Sequence, residues 1–83
     1  MDVDIEIEIR FFHGLNRYLP PGEGEYSRRL RTPPGLTVDE VLIRLGVPRD
    51  QPMVLLVDGR PVKPDHVLRT GDVLSALRPA EGG

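Results

Sequence analysis

The first part of the chain alternates between apolar and charged side chains. Every second residue from position 3 to position 11 is apolar: Val3, Ile5, Ile7, Ile9 and Phe11. The positions between them are acidic residues and one arginine, so the pattern predicts a β-strand with one buried and one solvated face. Residues 25–32 predict a second strand, with Tyr26 and Leu30 inward and arginines opposite the acidic stripe. Each opposite-charge pair across two strands contributes about 0.2–1 kcal/mol.

A helical spacing of apolar residues follows a Pro-Pro-Gly segment. Thr37 and Glu40 have the spacing of a capping box, in which each side chain bonds a backbone N–H at the helix start. Gly46 is placed to end the helix in the left-handed conformation. The predicted apolar stripe consists of Val38, Val41, Leu42 and Leu45.

Three further strands are predicted in the last third of the chain. An apolar run at 54–57 is followed by an Asp58-Gly59 turn and a short returning strand, and a final strand begins at Val73. The order β, β, α, β, short β, β predicts an α+β domain: a mixed sheet of four to five strands with one helix packed across one face. The crossover through the helix should place the last strand beside the first.

Composition excludes several classes of function. The chain has 83 residues, no cysteine and a net charge of −2, so disulfides and thiolate metal sites are excluded and a nucleic-acid partner is not expected. No signal-peptide pattern is present and no apolar run approaches the roughly 20 residues of a membrane span, so we expect a cytoplasmic protein without a membrane partner. His13 and His66 lack a nearby carboxylate cluster, and no catalytic set is recognisable. We therefore expect no metal site and no enzymatic activity.

Three segments of the sequence resemble the ThiS/MoaD sulfur-carrier family, which has the ubiquitin-like β-grasp fold. They are VLLVDGRPV at 54–62, LRTGDVLSALRP at 68–79 and PAEGG at 79–83. The resemblance implies a ubiquitin-like β-grasp domain at 1–78 and a flexible C-terminal tail at 79–83 that ends in Gly-Gly.

The resemblance also implies a carrier function centred on Gly83. A ubiquitin-activating-type adenylyltransferase would use ATP and Mg²⁺ to adenylate the Gly83 carboxylate. A sulfur donor would then displace AMP and leave a thiocarboxylate, which an acceptor synthase subunit would use in making molybdenum or tungsten pterin cofactors or the thiazole of thiamine. We favour the pterin because Pro79 follows the last strand directly, as in that branch. The carrier itself would bind no cofactor.

The tail should thread into the active site of the activating partner. The threading residues are Pro79, Ala80, Glu81 and Gly82. Glycine has no Cβ, so its backbone can lie close to a channel wall, whereas proline fixes φ near −65° and directs the tail. Glu81 departs from the family, in which a small or apolar residue is usual at that position.

A docking surface for the partner is expected on the outer face of the sheet. We assign to the core Leu55, Val57, Leu74 and Ala76, because the inward set should pack with Ile5 and Ile7 of the first strand. This assignment leaves Leu56 and Leu77 outside as apolar docking residues, with Arg60 and Arg78 beside them as candidates for pairing with acidic residues. The alternatives are that the leucines pack under the segment 61–66 or are singly exposed, and that the arginines are only solvated.

Two other functions stay open at this stage. The long, proline-bearing first connection resembles that of a ubiquitin-like domain accompanying certain PIN-type nuclease domains, which is an interaction module that needs no Gly-Gly end. A ubiquitin-like protein modifier, joined through its carboxylate to lysines, would begin with the same adenylation.

Overall fold

The computed structural model describes residues 3–80, which form one sheet with an α-helix packed against it. The helix α1 is Val38–Arg44, and a short 3₁₀ helix is Leu15–Tyr18. The strands are β1 Ile5–Phe11, β2 Ser27–Thr32, β3 Val54–Val57, β4 Arg60–Pro61 and β5 Val73–Leu77.

The sheet has five strands in the order β2-β1-β5-β3-β4. β1 pairs antiparallel with β2 and parallel with β5, and β3 pairs antiparallel with both β5 and β4. A parallel pair needs a crossover connection, and the segment containing α1 lies within it. The predicted mixed sheet, with the last strand beside the first, is confirmed, and the architecture is the ubiquitin-like β-grasp.

The core lies between the sheet and α1. The inward side chains of β1 are almost completely buried, at 1% exposure for Ile7 and 0% for Ile9 and Phe11. They belong to one apolar cluster with Val38, Val41 and Leu42 of the helix and with the four residues that were assigned to the core from the sequence. Each large apolar side chain buried in this way contributes about 1.5–3 kcal/mol.

The predicted capping box at the start of α1 and the left-handed glycine after its end are both present. The Thr37 hydroxyl accepts a hydrogen bond from the Glu40 N–H at 3.2 Å, and the Glu40 carboxylate accepts one from the Thr37 N–H at 3.3 Å. Gly46 has φ 82° just after the helix. The helix is only seven residues long, too short to be stable by itself in water, so its packing on the sheet holds it in place.

Two predicted inward residues are in fact exposed. Val3 is 81% exposed because β1 begins at Ile5, where its pairing with the last residue of β2 ends. Tyr26 is 43% exposed and precedes β2, and its ring lies 5.5 Å from that of Phe12 instead of entering the core.

Candidate functional site

The face of the sheet opposite α1 carries an apolar region over β3 and β5. Leu55 and Val57 face the core, so Val54 and Leu56 point to the outer face, and Leu77 lies opposite Val54 in the β3–β5 register. These three outer side chains are half-buried, and none belongs to the core cluster or to the residues packed against it. Leu56 and Leu77 therefore lie on the face where the sequence analysis placed them.

Phe12 extends this surface on the side of β1. Its N–H donates to the Ala76 carbonyl at 3.0 Å, which continues the β1–β5 register by one residue and places Phe12 beside Leu77. Phe12 was not among the residues predicted for docking, although an apolar residue at the end of the charged face of β1 indicates such a position. The outer apolar patch is defined here as Phe12, Val54, Leu56 and Leu77.

The other half of the outer face is charged. Glu6 lies opposite Arg31 and Glu8 opposite Arg29, as the alternating pattern predicts. Arg29 approaches the Glu6 carboxylate diagonally at 3.8 Å, and Arg10 bonds the Glu8 carboxylate. The outer face is thus divided into an ion-paired region over β1 and β2 and an apolar region over β3 and β5.

The base of the tail leaves the sheet at the edge of the outer apolar patch. Arg78, Pro79 and Ala80 are exposed and follow β5 directly. With Gln51 and Pro52 they line an open cleft of about 280 Å³. The tail therefore begins next to Leu77, at the end of β5 that pairs with Val54.

The remaining tail residues, Glu81, Gly82 and Gly83, lie outside the described residues. Their roles in threading and in covalent attachment stay predictions, as do the threading roles of Pro79 and Ala80.

Arg60 does not flank the outer apolar patch, contrary to the expected position. Asp58 and Gly59 have φ 51° and 80° and form a two-residue turn that pairs Arg60 with Val57. Val57 faces the core, so the register assigns Arg60 to that face of the sheet. Val57 also lies opposite Leu74, at the far end of β3 from the tail. Arg78 does lie beside the patch, and a docking role for either arginine stays a prediction.

The adjacent Glu25 raises the pKa of the Tyr26 hydroxyl, first by hydrogen bonding and then by its negative charge, so this hydroxyl stays protonated near neutral pH. Within residues 3–80 no group of three histidine or acidic side chains could hold a metal ion. In the same part of the chain, no helix has the length and apolarity needed to cross a membrane.

The fold and this surface define a ubiquitin-like β-grasp domain with an apolar outer patch beside an exposed tail base. The family model described as Mut7-C ubiquitin matches residues 4–82, and the chain belongs to that family. The resemblance to ThiS/MoaD proteins is consistent with this membership.

Two solved structures from Haloferax volcanii share the fold. SAMP1 superposes with a TM-score of 0.69 at 20% identity, covering 94% of this chain and 99% of that one. The HVO 2177 protein superposes with a TM-score of 0.74 at 25% identity, covering 96% of this chain and 88% of that one. No curated protein matches the chain.

Proposed function

We propose that this domain is a sulfur carrier whose Gly83 carboxylate is adenylated by a ubiquitin-activating-type enzyme and then converted to a thiocarboxylate. One observation carries the proposal: the outer apolar patch ends where the tail leaves the sheet. A partner that covers Leu56 and Leu77 would receive the chain end at a fixed distance from its docking surface. Arg78, exposed beside the patch, can pair with an acidic residue of that partner.

The chemistry requires an activating partner because the group to be modified is unreactive. A terminal carboxylate has a pKa of about 3.3–3.7, so it is an anion and a poor electrophile at neutral pH. ATP, bound with Mg²⁺ in the partner, converts it to an acyl adenylate and releases pyrophosphate. A sulfur nucleophile then forms the C–S bond as the bond to AMP breaks. The domain is a substrate in both steps and not the enzyme.

The tail has the length and the composition for this task. Residues 79–83 span at most about 17 Å when extended, which allows the end to leave the folded body and reach an enclosed site. Gly82 and Gly83 add no Cβ where an enclosed site surrounds the backbone. The sulfur would pass to an acceptor synthase subunit in the cytoplasm, with the pterin of molybdenum or tungsten cofactors favoured over the thiazole of thiamine.

Intact-mass spectrometry of the protein from its own cytosol tests the proposal. The expected result is a species in which one sulfur replaces one oxygen, and it should disappear when Gly83 is deleted. The same spectrum checks that Gly83 is the last residue of the mature protein, which the proposal requires. An unmodified mass in cells that are actively making these cofactors would refute it.

The family match over residues 4–82 favours a second candidate, a non-catalytic interaction module. The long first connection, which suggested this function from the sequence, is held in place by Arg28. Its guanidinium donates to the carbonyl oxygens of Pro20, Glu23 and Gly24 at 2.6–2.9 Å. An interaction module would keep its function after removal of Gly82 and Gly83, whereas a sulfur carrier would lose its function. A protein modifier would instead give high-molecular-weight adducts in lysate, and these would disappear with the same deletion.

A further inference from the structure

The outermost strand β2 has an unpaired edge. β1 lies on one side of it, and no strand of the described chain lies on the other. The Phe11 N–H bonds the Tyr26 carbonyl at 2.8 Å, and in an antiparallel pair the bonded positions recur at every second residue. The register therefore directs the N–H and C=O groups of Arg29 and Arg31 away from β1. These backbone groups are available to an added strand.

A mostly apolar groove runs beside this edge, between the end of β2 and α1. It encloses about 160 Å³, and its apolar lining includes Leu30 and Pro33 on the strand side and Val41 and Leu45 on the helix side. Thr32 also lines it, and the buried Thr32 hydroxyl has no hydrogen-bond partner among residues 3–80. A buried polar group without a partner destabilises the folded state by about as much as a lost hydrogen bond. The groove therefore offers a bound segment one hydroxyl that lacks a hydrogen-bond partner as well as apolar surface.

Two arginines border the groove. Arg31 and Arg44 both line it and are exposed, and in the part of the chain that the structure describes neither has a carboxylate within salt-bridge distance. Arg29, on the same strand, lies 3.8 Å from Glu6. Within residues 3–80, Arg31 and Arg44 are therefore two arginines beside the open edge that have no ion-pair partner.

We propose that this edge binds an extended segment of another protein, with alternating apolar and acidic residues, as a sixth strand. β1 shows the required pattern because it pairs with the same strand from the other side. Ile7 lies opposite Leu30, whereas Glu8 lies opposite Arg29. A segment on the open edge would meet the same side chains of β2. Its apolar residues would enter the groove and its acidic residues would face Arg29 and Arg31.

A second copy of this chain is a poor occupant of the edge. Antiparallel pairing of β2 with β2 of another copy, centred on Leu30, would bring Arg29 opposite Arg31 on the same face, and like charges directly across two strands are destabilising. Charged residues on an edge strand also oppose self-association. The proposed site is separate from the outer apolar patch, because β2 lies at the opposite side of the sheet from β3 and β4.

Binding of a blocked peptide, EVEVEVEV, followed by NMR and by amide hydrogen exchange, tests the proposal. The amides of Arg29 and Arg31 should shift and should exchange more slowly, while the amides of Leu56 and Leu77 should not change. KVKVKVKV should not bind, and EVEPEVEV should bind more weakly because proline removes a backbone donor.

A charge-swap variant makes the test specific. The double substitution Arg31→Glu with Arg44→Glu should weaken EVEVEVEV binding about tenfold or more and should allow KVKVKVKV to bind. Arg31 lies opposite Glu6 in the β1–β2 register, so the variant should unfold a few degrees below the parent, and binding is measured at a temperature where thermal unfolding shows both proteins to be fully folded. The inference would be overturned if the charge swap did not change peptide binding, or if the amides of Arg29 and Arg31 did not respond to the peptide. It would also be overturned if no binding were detected at millimolar peptide. Leu56→Ala should leave peptide binding intact, so failure of the carrier proposal and failure of this one are distinguishable.

Discussion

Substitutions at Leu74 and Leu77 should separate an effect on stability from an effect on partner docking. The two leucines lie three residues apart in β5, and their side chains point to opposite faces of the sheet. Leu74 is fully buried in the core cluster, whereas Leu77 is half-buried in the outer apolar patch. Replacing each by alanine removes the same atoms from the same strand. We expect Leu74→Ala to affect folding and Leu77→Ala to affect recognition by the activating enzyme.

The magnitudes follow from burial. A fully buried leucine replaced by alanine typically costs 2–5 kcal/mol, because transfer and cavity terms add. Domains of this length have a free energy of unfolding of roughly 4–12 kcal/mol, so Leu74→Ala removes a large share of it. With about 4–8 °C per kcal/mol, its Tm should fall by at least about 8 °C. Leu77 is only partly buried and lies outside the core cluster, so Leu77→Ala should cost less, about 1–2 kcal/mol.

Urea unfolding and an adenylation assay with the cognate activating enzyme measure the two effects. Leu77→Ala should stay folded and yet lose most of its adenylation at low carrier concentration. At a temperature where Leu74→Ala is still folded, that variant should be adenylated normally. If Leu77→Ala is as unstable as Leu74→Ala, the outer apolar patch is part of the packed interior. If it is stable and fully active, the patch is not the docking surface.

Three further predictions concern local structure. Thr37→Ala removes the capping box and should lower the free energy of unfolding by about 0.5–2 kcal/mol in urea titration, whereas Thr37→Ser should be nearly neutral. Gly59→Ala should lower the free energy of unfolding by about 1–2 kcal/mol because φ is 80° at this position, although nothing lies within 4 Å of an added Cβ. Gly59→Asn should be less destabilising, because asparagine tolerates this conformation better than alanine. Equal losses for the two variants would contradict the prediction. Arg28→Lys should make the segment 20–27 more susceptible to limited proteolysis, because one ammonium group cannot reach all the carbonyl oxygens that the guanidinium bonds. An unchanged cleavage rate would show that Arg28 does not hold this segment in place.

Some features of the molecule could be predicted from short stretches of sequence. The strand β1 follows from strict alternation, the start of α1 from the spacing of Thr37 and Glu40, and the β3–β4 turn from Asp58-Gly59. In each case the cause acts between residues a few positions apart. The inward set on β3 and β5 was also predictable, because the core-facing side chains of these strands must pack with the inward residues of β1.

Other features depended on pairing between distant segments. Arg60 belongs to the core-facing side because the turn pairs it with Val57, and Phe12 joins the outer apolar patch because β5 lies next to β1 in parallel. The free edge of β2 and the groove beside α1 exist only because the sheet order places β2 outermost. Periodicity predicts which of the two faces of the sheet a side chain occupies, because this depends only on its position along its own strand. Which strand lies alongside, and which edge stays open, depends on contacts that only the folded chain brings together.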